Sequence, residues 1–376
     1  MSFGLLPGGC RRVQAMIFLV LFLVLCSSSR ASAGSGVGGQ LLPGTQVVVP
    51  PSLEPTLIHL TSPRGDFRAV LSTYGACLLS YQSLAVVGSG LLSPPSWHEH
   101  LGCRLDNLPD PASVNPATGA PYPWCCGSPL CWPVFADDGQ TGVRLLEPKT
   151  GNNDKQWGGG GGGTAKGVPM HGIARYMPFG VVGRGTSSRV TLELKSSTLT
   201  KCLWDAKFSL TYDLELKDDG RLSITVKVTN EGTEEFRQQF GMHTYFPCER
   251  LKDLSVARLC GPDDASSFSG VPFIDKTDGH RLKKESKRLL TFGSRPLDSV
   301  YLGVSSVLVS NSVSGKSICV RGTNLRDVVV FSPMGRTDMG ADKFVCVESV
   351  DYRPTLLKPG DSWEGGVEFE VTKNDA

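Results

Sequence analysis

Residues 208–230 read FSLTYDLELKDDGRLSITVKVTN. On either side of Asp218-Asp219-Gly220, apolar and polar residues alternate with a period of two, which is the pattern of a β-strand with one buried face. An Asp-Gly turn between two alternating runs is a strong signal for a β-hairpin. The segment therefore predicts two antiparallel strands, at 208–217 and 221–230, that each turn one face toward a core.

The same strand pattern continues on both sides of this hairpin, whereas helical periodicity is confined to the short charged segment 281–290. The 44 glycines and 25 prolines fit a chain with many turns. We therefore predict an all-β fold, one large antiparallel β-sandwich. Further strands are predicted at residues 57–60, 67–71, 189–195, 306–310, 317–321, 328–331, 344–350 and 366–372.

The first 55 residues are predicted to lie outside this sandwich. Arg11-Arg12 precedes an apolar run at 15–26 that is short for a bilayer span, and Ala31-Ser32-Ala33 fits a cleavage site. Residues 1–33 are therefore expected to be a signal peptide for the secretory pathway or the extracellular space, with a retained anchor as the alternative. A plastid address is also open, because no acidic residue precedes Glu54.

The β-sandwich domain is expected to span residues 56–372, after a linker at 34–55 that is rich in Gly, Val and Pro. A glycine-rich stretch near 157–165 interrupts the domain and is interpreted as a flexible insertion. It lacks the Lys-Ser/Thr pair of a phosphate-binding loop, and no helical pattern follows it.

Charge and cysteine content exclude two classes of function. A formal net charge of +2 is too small to indicate a nucleic-acid partner, and none is expected. The 12 cysteines are dispersed and include no Cys-x-x-Cys pair, so no zinc site is expected. Cys319 and Cys346 lie in apolar, strand-like runs and are expected to be free buried thiols.

Two titratable residues lie in strongly apolar surroundings. His243 stands in QQFGMHTYF (238–246), after a predicted strand, and is either a proton donor in an apolar cleft or a satisfied core residue. Glu348 lies in the apolar segment 344–349, where an unpaired ionised carboxylate would be costly. Such a glutamate pairs with a cation or has a chemical role, and burial raises its pKa.

Six short motifs occur in a defined order along the chain. They are Cys131-Trp132-Pro133, HGIAR at 171–175, HTYF at 243–246, Asp-x-Val-Tyr at 298–301, Cys-Val-Glu at 346–348 and LKPGDSW at 357–363. Together they resemble the galactose mutarotase-like family, and within it the glucose-6-phosphate 1-epimerase branch, over residues 56–371. The resemblance implies a β-supersandwich, which agrees with the strand pattern.

The resemblance also implies a reaction, the interconversion of the α and β anomers of a sugar by ring opening. One group must protonate the ring oxygen, and another must take the proton of the anomeric hydroxyl. By resemblance, His243 is the acid and Glu348 is the base, and both are expected to titrate near neutral pH because ring closure reverses their roles. His171 and Arg175 would bind and polarise sugar oxygens, and Asp298 would accept hydrogen bonds from sugar hydroxyls.

The resemblance further indicates what the site needs besides these residues. Trp132 and Tyr245 are expected to form walls of the sugar site. No metal or organic cofactor is implied, because two side chains suffice for the proton transfers. The expected partner is a small sugar or sugar phosphate. The protein is expected to be a monomer with no membrane span once the signal is cleaved.

The chain departs from the family pattern at the positions that hold phosphate. Cys125 stands where the family has an arginine that helps bind the substrate phosphate, and Met170 stands where it has a glutamine. Residues 331–334 replace an Asn-Pro-Trp segment, and the basic run at 281–288 is more simply a solvated face than a substitute. The acid–base pair is intact, whereas phosphate recognition is weakened at these positions. From the resemblance as a whole we expect a hexose-6-phosphate 1-epimerase. The alternatives are an epimerase for free aldoses and a non-catalytic carbohydrate-binding or scaffold protein, such as a plastid complex subunit.

Overall fold

The computed structural model describes residues 56–83, 127–135, 171–183, 185–259, 267–293, 295–335 and 344–373. The predicted signal at 1–33, the linker at 34–55 and the glycine-rich insertion at 157–165 lie outside the described residues, as do Cys125 and Met170. No helix in the described part of the chain has the length and hydropathy needed to cross a membrane.

The described residues form three antiparallel sheets, which confirms the all-β prediction. The strands are β1 (Leu57–Thr61), β2 (Phe67–Ser72), β3 (Cys77–Ser83), β4 (Leu130–Cys131), β5 (Gly180–Val182), β6 (Arg189–Lys195), β7 (Phe208–Leu216), β8 (Leu222–Asn230), β9 (Phe236–Pro247), β10 (Leu254–Arg258), β11 (Pro272–Asp275), β12 (Arg281–Lys284), β13 (Leu290–Thr291), β14 (Leu297–Leu302), β15 (Ser306–Asn311), β16 (Lys316–Thr323), β17 (Asp327–Ser332), β18 (Phe344–Leu357) and β19 (Ser362–Lys373). A short helix, α1, covers Thr198–Leu203, with Ser197 and Thr200 forming a capping box at its start.

Strand order shows how the chain is wound. One sheet has nine strands in the order β13-β10-β15-β16-β19-β8-β7-β6-β5, and a second has seven in the order β12-β11-β14-β17-β18-β9-β4. A third sheet contains β1, β2 and β3. Strands β9 and β18 are adjacent in the seven-stranded sheet although far apart in sequence, and their pairing decides the geometry of the site.

The β7–β8 hairpin forms as predicted. Phe208 pairs with Asn230 and Leu216 with Leu222, and buried residues alternate along both strands. Gly220 closes the turn at φ +83°, where a Cβ atom would come within 2.1 Å of the Phe67 ring. The turn therefore needs glycine both for its backbone conformation and for the close approach of that ring.

The helical periodicity at 281–290 does not produce a helix. Residues Arg281–Lys284 form the edge strand β12, and Leu290–Thr291 form β13. β12 pairs with β11 along its whole length, and the Nζ of Lys283 lies 2.8 Å from an oxygen of Asp275 on that neighbour. Backbone pairing to an existing sheet edge outweighs the weak helix propensity of a short charged run.

The two faces of the seven-stranded sheet have different roles. Successive side chains of a strand point to opposite faces. Val328 and Val330 of β17 belong to the main core cluster, which also contains the inward residues of the nine-stranded sheet. Val329 and Val350 belong to a separate cluster on the other face, which we call the site face. The core therefore fills one side of this sheet and leaves the other side for chemistry.

Candidate active site

Two neighbouring rows of side chains cross the site face. In one row His243 on β9 is the register partner of Glu348 on β18, and Glu348 in turn faces Val329 on β17. In the next row the partners are Tyr245, Cys346, Phe331 and Asp298, on β9, β18, β17 and β14. Strand register therefore brings three of the predicted site residues, His243, Glu348 and Asp298, onto one surface.

His243 and Glu348 form a close buried pair. The Nε2 atom of His243 lies 3.5 Å from an Oε atom of Glu348, and their side chains are 11% and 3% exposed. Rather than lying at the end of a strand, His243 sits within the twelve-residue strand β9, and its backbone N–H donates to the carbonyl of Pro129. The pair is thus fixed by two long, paired strands.

Burial moves the pKa values of this pair in opposite directions. Loss of water raises the pKa of Glu348 to about 8, against a partly compensating positive charge on Lys276. Loss of water, together with neighbouring His171 and Arg175, lowers the pKa of His243 well below its usual value. The expectation that both titrate near neutral pH therefore fits Glu348 but not His243. At neutral pH the pair holds one proton, and it rests on Glu348.

His171 lies beside this pair in one fixed tautomer. Its ring centroid is 5.1 Å from that of His243, with the two planes at 84°. Its Nδ1 lies 2.7 Å from the carbonyl oxygen of Phe135. A carbonyl only accepts, so Nδ1 carries the hydrogen and Nε2 presents a lone pair. Burial, reinforced by the positive charge of Arg175, lowers the pKa of His171 to about 3, so the ring is a neutral acceptor at physiological pH.

A tight turn holds His171 in this position. His171 and Gly172 both adopt positive φ, +66° and +79°. A Cβ atom on Gly172 would come within 2.1 Å of the Trp132 carbonyl oxygen, so only glycine fits. That same carbonyl accepts a hydrogen bond from the backbone N–H of Ala174, at 3.0 Å. The HGIAR motif is therefore a docking turn for the segment 127–135.

The segment 127–135 is fastened along the edge of β9. The Gln239 side chain accepts from the backbone N–H of Phe135 at 3.1 Å and donates to the carbonyl of Tyr352 at 2.6 Å. Trp132 donates from Nε1 to the Gln238 side chain at 2.6 Å. These buried side-chain bonds tie the segment to β9 and β18, and they explain the two glutamines in β9.

Trp132 does not line the candidate site, contrary to expectation. Its side chain is fully buried in the main core, with edge-on contacts to Trp204 and Phe208 at 5.1 and 4.6 Å between ring centroids. Tyr245 does lie on the site face, stacked on His243 at 4.8 Å with an interplanar angle of 22°. One of the two predicted wall residues therefore belongs to the site and the other to the core.

Arg175 and Asp298 complete the predicted set. Arg175 is buried in the 3-10 turn Ala174–Tyr176, and its charge acts on both His171 and His243. Asp298 is paired with Lys276, whose Nζ lies 3.0 Å from its Oδ1. Lys276 was not predicted. The sequence around it marks a turn, and nothing local distinguishes it from the surface lysines that follow.

The site also contains a set of possible metal ligands. Donor atoms of His243, Cys346 and Glu348 all lie within 4.8 Å of one another, a cluster that cysteine spacing does not show. No metal ion is assigned to these residues, and His243 and Glu348 are interpreted as a proton-transfer pair. Cys346 and Cys319 are buried and form no disulfide, in agreement with the prediction.

Residues 160–370 match the sequence profile of the aldose 1-epimerase family. The match covers more than half of the chain, and the chain belongs to this family. A Cenchrus ciliaris protein with the provisional name glucose-6-phosphate 1-epimerase is 25% identical over 225 residues. The aligned region covers 54% of this chain and 65% of the Cenchrus ciliaris protein, which is just under two thirds of the length of that relative. An Escherichia coli protein with the same provisional name is 27% identical over 280 residues, 71% of this chain and 78% of that protein.

Solved structures show the same fold. A Salmonella typhimurium protein, provisionally described as a mutarotase, superposes with a TM-score of 0.61 at 22% identity, over 90% of this chain and 97% of that one. A Caenorhabditis elegans homologue of aldose epimerases superposes with a TM-score of 0.58 at 11% identity, over 85% and 99% of the two chains. The seven- and nine-stranded sheets are thus those of a galactose mutarotase-like fold.

Proposed function

We propose that the protein is a sugar 1-epimerase that interconverts the α and β anomers of a hexose 6-phosphate. Membership of the aldose 1-epimerase family and the names of the two relatives support this proposal. The observation that carries it is the buried pair of His243 and Glu348, whose Nε2 and Oε atoms lie 3.5 Å apart.

Ring opening of a cyclic sugar moves two protons. His243, in its protonated form, gives a proton to the ring oxygen as the C1–O bond breaks. Glu348, in its ionised form, takes the proton of the anomeric hydroxyl, which leaves an open-chain aldehyde. The number of protons on the pair does not change, because one leaves His243 as another arrives on Glu348. Rotation about the C1–C2 bond followed by the reverse transfers closes the ring with the other configuration.

In the free protein the pair has the protonation state that follows ring opening, with His243 neutral and Glu348 protonated. In the free protein burial favours the neutral forms, with the proton on Glu348. For ring opening the proton first moves to His243, across a gap of 3.5 Å. A bound sugar supplies the hydroxyl and ring oxygen that hydrogen-bond the two charged forms, which replaces the water that burial removed.

The neighbouring residues bind rather than transfer protons. His171 accepts a hydrogen bond from a sugar hydroxyl through Nε2, because Nδ1 is committed to Phe135. Its Nδ1 hydrogen is held by the Phe135 carbonyl, whereas Nε2 of His243 lies 3.5 Å from Glu348, from which it can receive a proton. Asp298 accepts hydrogen bonds from further hydroxyls, and Arg175 supplies positive charge beside the two histidines. These roles favour His243 as the acid.

A free aldose is the second candidate substrate. It is favoured by Cys125, which stands where the related family has a phosphate-binding arginine. A thiol provides no charged, two-pronged donor for a phosphate group. The reaction at the anomeric carbon would be the same, and only the recognition of the far end of the sugar would differ.

Anomer exchange measured by NMR tests this proposal. Exchange between the α and β forms of glucose 6-phosphate and of glucose would be followed with wild-type protein, His243→Ala and His59→Ala. His59 is an exposed residue of β1, so its replacement is a matched control. We expect wild type and His59→Ala to accelerate exchange of glucose 6-phosphate, and His243→Ala to lose at least about a hundredfold.

Each other outcome has a definite meaning. Acceleration of glucose alone would replace the phosphorylated substrate by a free aldose. Acceleration of neither sugar would refute both candidates and favour a carbohydrate-binding protein without turnover. Undiminished activity of His243→Ala would refute the acid–base pair.

A further inference from the structure

Lys276 is a cation of the site that no sequence motif marks. It follows β11 and begins the 3-10 turn Lys276–Asp278. Its side chain is only 17% exposed, and its Nζ lies 3.0 Å from Oδ1 of Asp298. Most surface lysines extend into water, so a lysine that turns inward to meet a sheet carboxylate indicates a specific role.

The turn that carries Lys276 is braced on the side away from the site. Asp275 caps it, accepting from the backbone N–H of Thr277 at 3.0 Å and from the hydroxyl of Thr277 at 2.6 Å. The ammonium group of Lys283 lies 2.8 Å from the other carboxylate oxygen of Asp275. Because Asp275 is the register partner of Ser299, the next residue, Lys276, is held at the level of Asp298. The backbone therefore sets where the ammonium group lies.

Several charged groups face Glu348 from the elements around it. His243 approaches it from β9. Lys276 from the 3-10 turn and Arg175 from its own turn oppose the effect of burial on Glu348, whereas Asp298 from β14 adds to it. The charge of Lys276 lowers the pKa of Glu348 more than that of Arg175 does, and it also lowers the pKa of both histidines. It is thus the principal positive charge that Glu348 meets.

We propose that Lys276 is a positioning residue, which fixes the Asp298 carboxylate for sugar hydroxyls and supplies the positive charge that faces Glu348. This inference rests on the proposed epimerase function. Without Lys276, the negative charge of Asp298 would be uncompensated, in a site where Glu348 must also become a carboxylate. The ionised form of Glu348 would then be harder to reach, and the sugar would lose a fixed acceptor.

The test compares Lys276→Met, Lys276→Arg and Lys284→Met with wild type. Lys284 is an exposed lysine of β12 in the same sheet, and its replacement controls for the loss of a lysine. Anomer exchange of the active sugar would be measured from pH 5 to pH 10 to separate kcat, KM and the pH profile. The carboxyl signal of Glu348 would be titrated by NMR in protein labelled with 13C at glutamate carboxyl groups, with Glu348→Gln for assignment.

We expect Lys276→Met to shift the pH profile and the Glu348 titration upward by on the order of one pH unit, because a nearby positive charge has been removed. We expect its KM to rise by roughly tenfold, because Asp298 is no longer fixed. Lys276→Arg should restore the wild-type pH profile, since it keeps the charge, and Lys284→Met should match wild type.

The outcomes separate this inference from the proposed function. An inactive wild type would refute the epimerase proposal, while the carboxyl titration would still report whether Lys276 acts on Glu348. An active wild type whose pH profile and Glu348 titration are unchanged in Lys276→Met would overturn the role of Lys276. A loss of thermal stability in Lys276→Met without a shift in either titration would show a purely structural ion pair, and would also overturn it.

Discussion

Replacing Glu348 by glutamine is expected to make the protein more stable while it abolishes turnover. Glutamine keeps the shape of the side chain and can donate to Nε2 of His243, but it carries no ionisable group. Glu348 is almost fully buried in the middle of a sheet. Its presence there opposes folding at neutral pH, because the unfolded chain can ionise it and the folded chain cannot.

The magnitude follows from the difference in pKa between the two states. Burial raises the pKa of Glu348 from 4.5 to about 8. Below pH 4.5 the carboxyl is protonated in both states and has no pH-dependent effect. As the pH rises toward 8, the unfolded state releases the proton first, so the free energy of unfolding falls. At pH 7 the difference is about 2.5 pH units, which corresponds to about 3 kcal/mol.

Urea unfolding at pH 4, 5.5 and 7, followed by tryptophan fluorescence, measures this effect. The gain in unfolding free energy of Glu348→Gln over wild type should be near zero at pH 4 and grow to about 3 kcal/mol at pH 7. Glu368→Gln is a control of opposite sign. Burial opposes the shift at Glu368, but the neighbouring cations, Lys217 first, outweigh it and lower its pKa. That control should lose stability at pH 7 relative to pH 4.

The reasoning would be refuted if Glu348→Gln were less stable than wild type at pH 7. It would also be refuted if the difference between the two proteins were the same at every pH. Either result would mean that the folded protein holds Glu348 as an ionised carboxylate. The acid–base pair would then rest with its proton on His243.

Two further predictions concern turnover and the docking turn. Epimerase activity should follow a bell-shaped pH profile. Its alkaline midpoint is expected at about 8, where Glu348 loses the proton of the pair, and its acid midpoint well below 6.5, where His243 gains a second proton. An alkaline midpoint that is unchanged in Lys276→Met would count against the assignment to Glu348. Gly172→Ala should lower the free energy of unfolding by roughly 2–4 kcal/mol, because it adds a clash with Trp132 to an unfavourable φ. Gly183→Ala has a similar φ of +74° and open space around it, so it should cost about 1 kcal/mol, and equal losses in both variants would exclude the clash.

Local patterns predicted most of the strands correctly. The alternation at 189–195 and 208–230 matches β6, β7 and β8, because each of these strands buries one face and exposes the other. By contrast, the segment 281–290 has helical periodicity but forms strand β12. Its four strand residues are held by pairing with β11, a contact that no local pattern contains.

The candidate site divides in the same way. Sequence alone determined that His243 and Glu348 lie in apolar segments, and that Cys346 and Glu348 share one face of a strand, because these are properties of neighbours along the chain. Only the tertiary structure decided that His243 is the register partner of Glu348, that Nδ1 of His171 bonds to the Phe135 carbonyl, and that Lys276 reaches Asp298. Strand register, turn conformation and burial arise from contacts between distant segments, and these contacts set the distances and pKa values on which the chemistry depends.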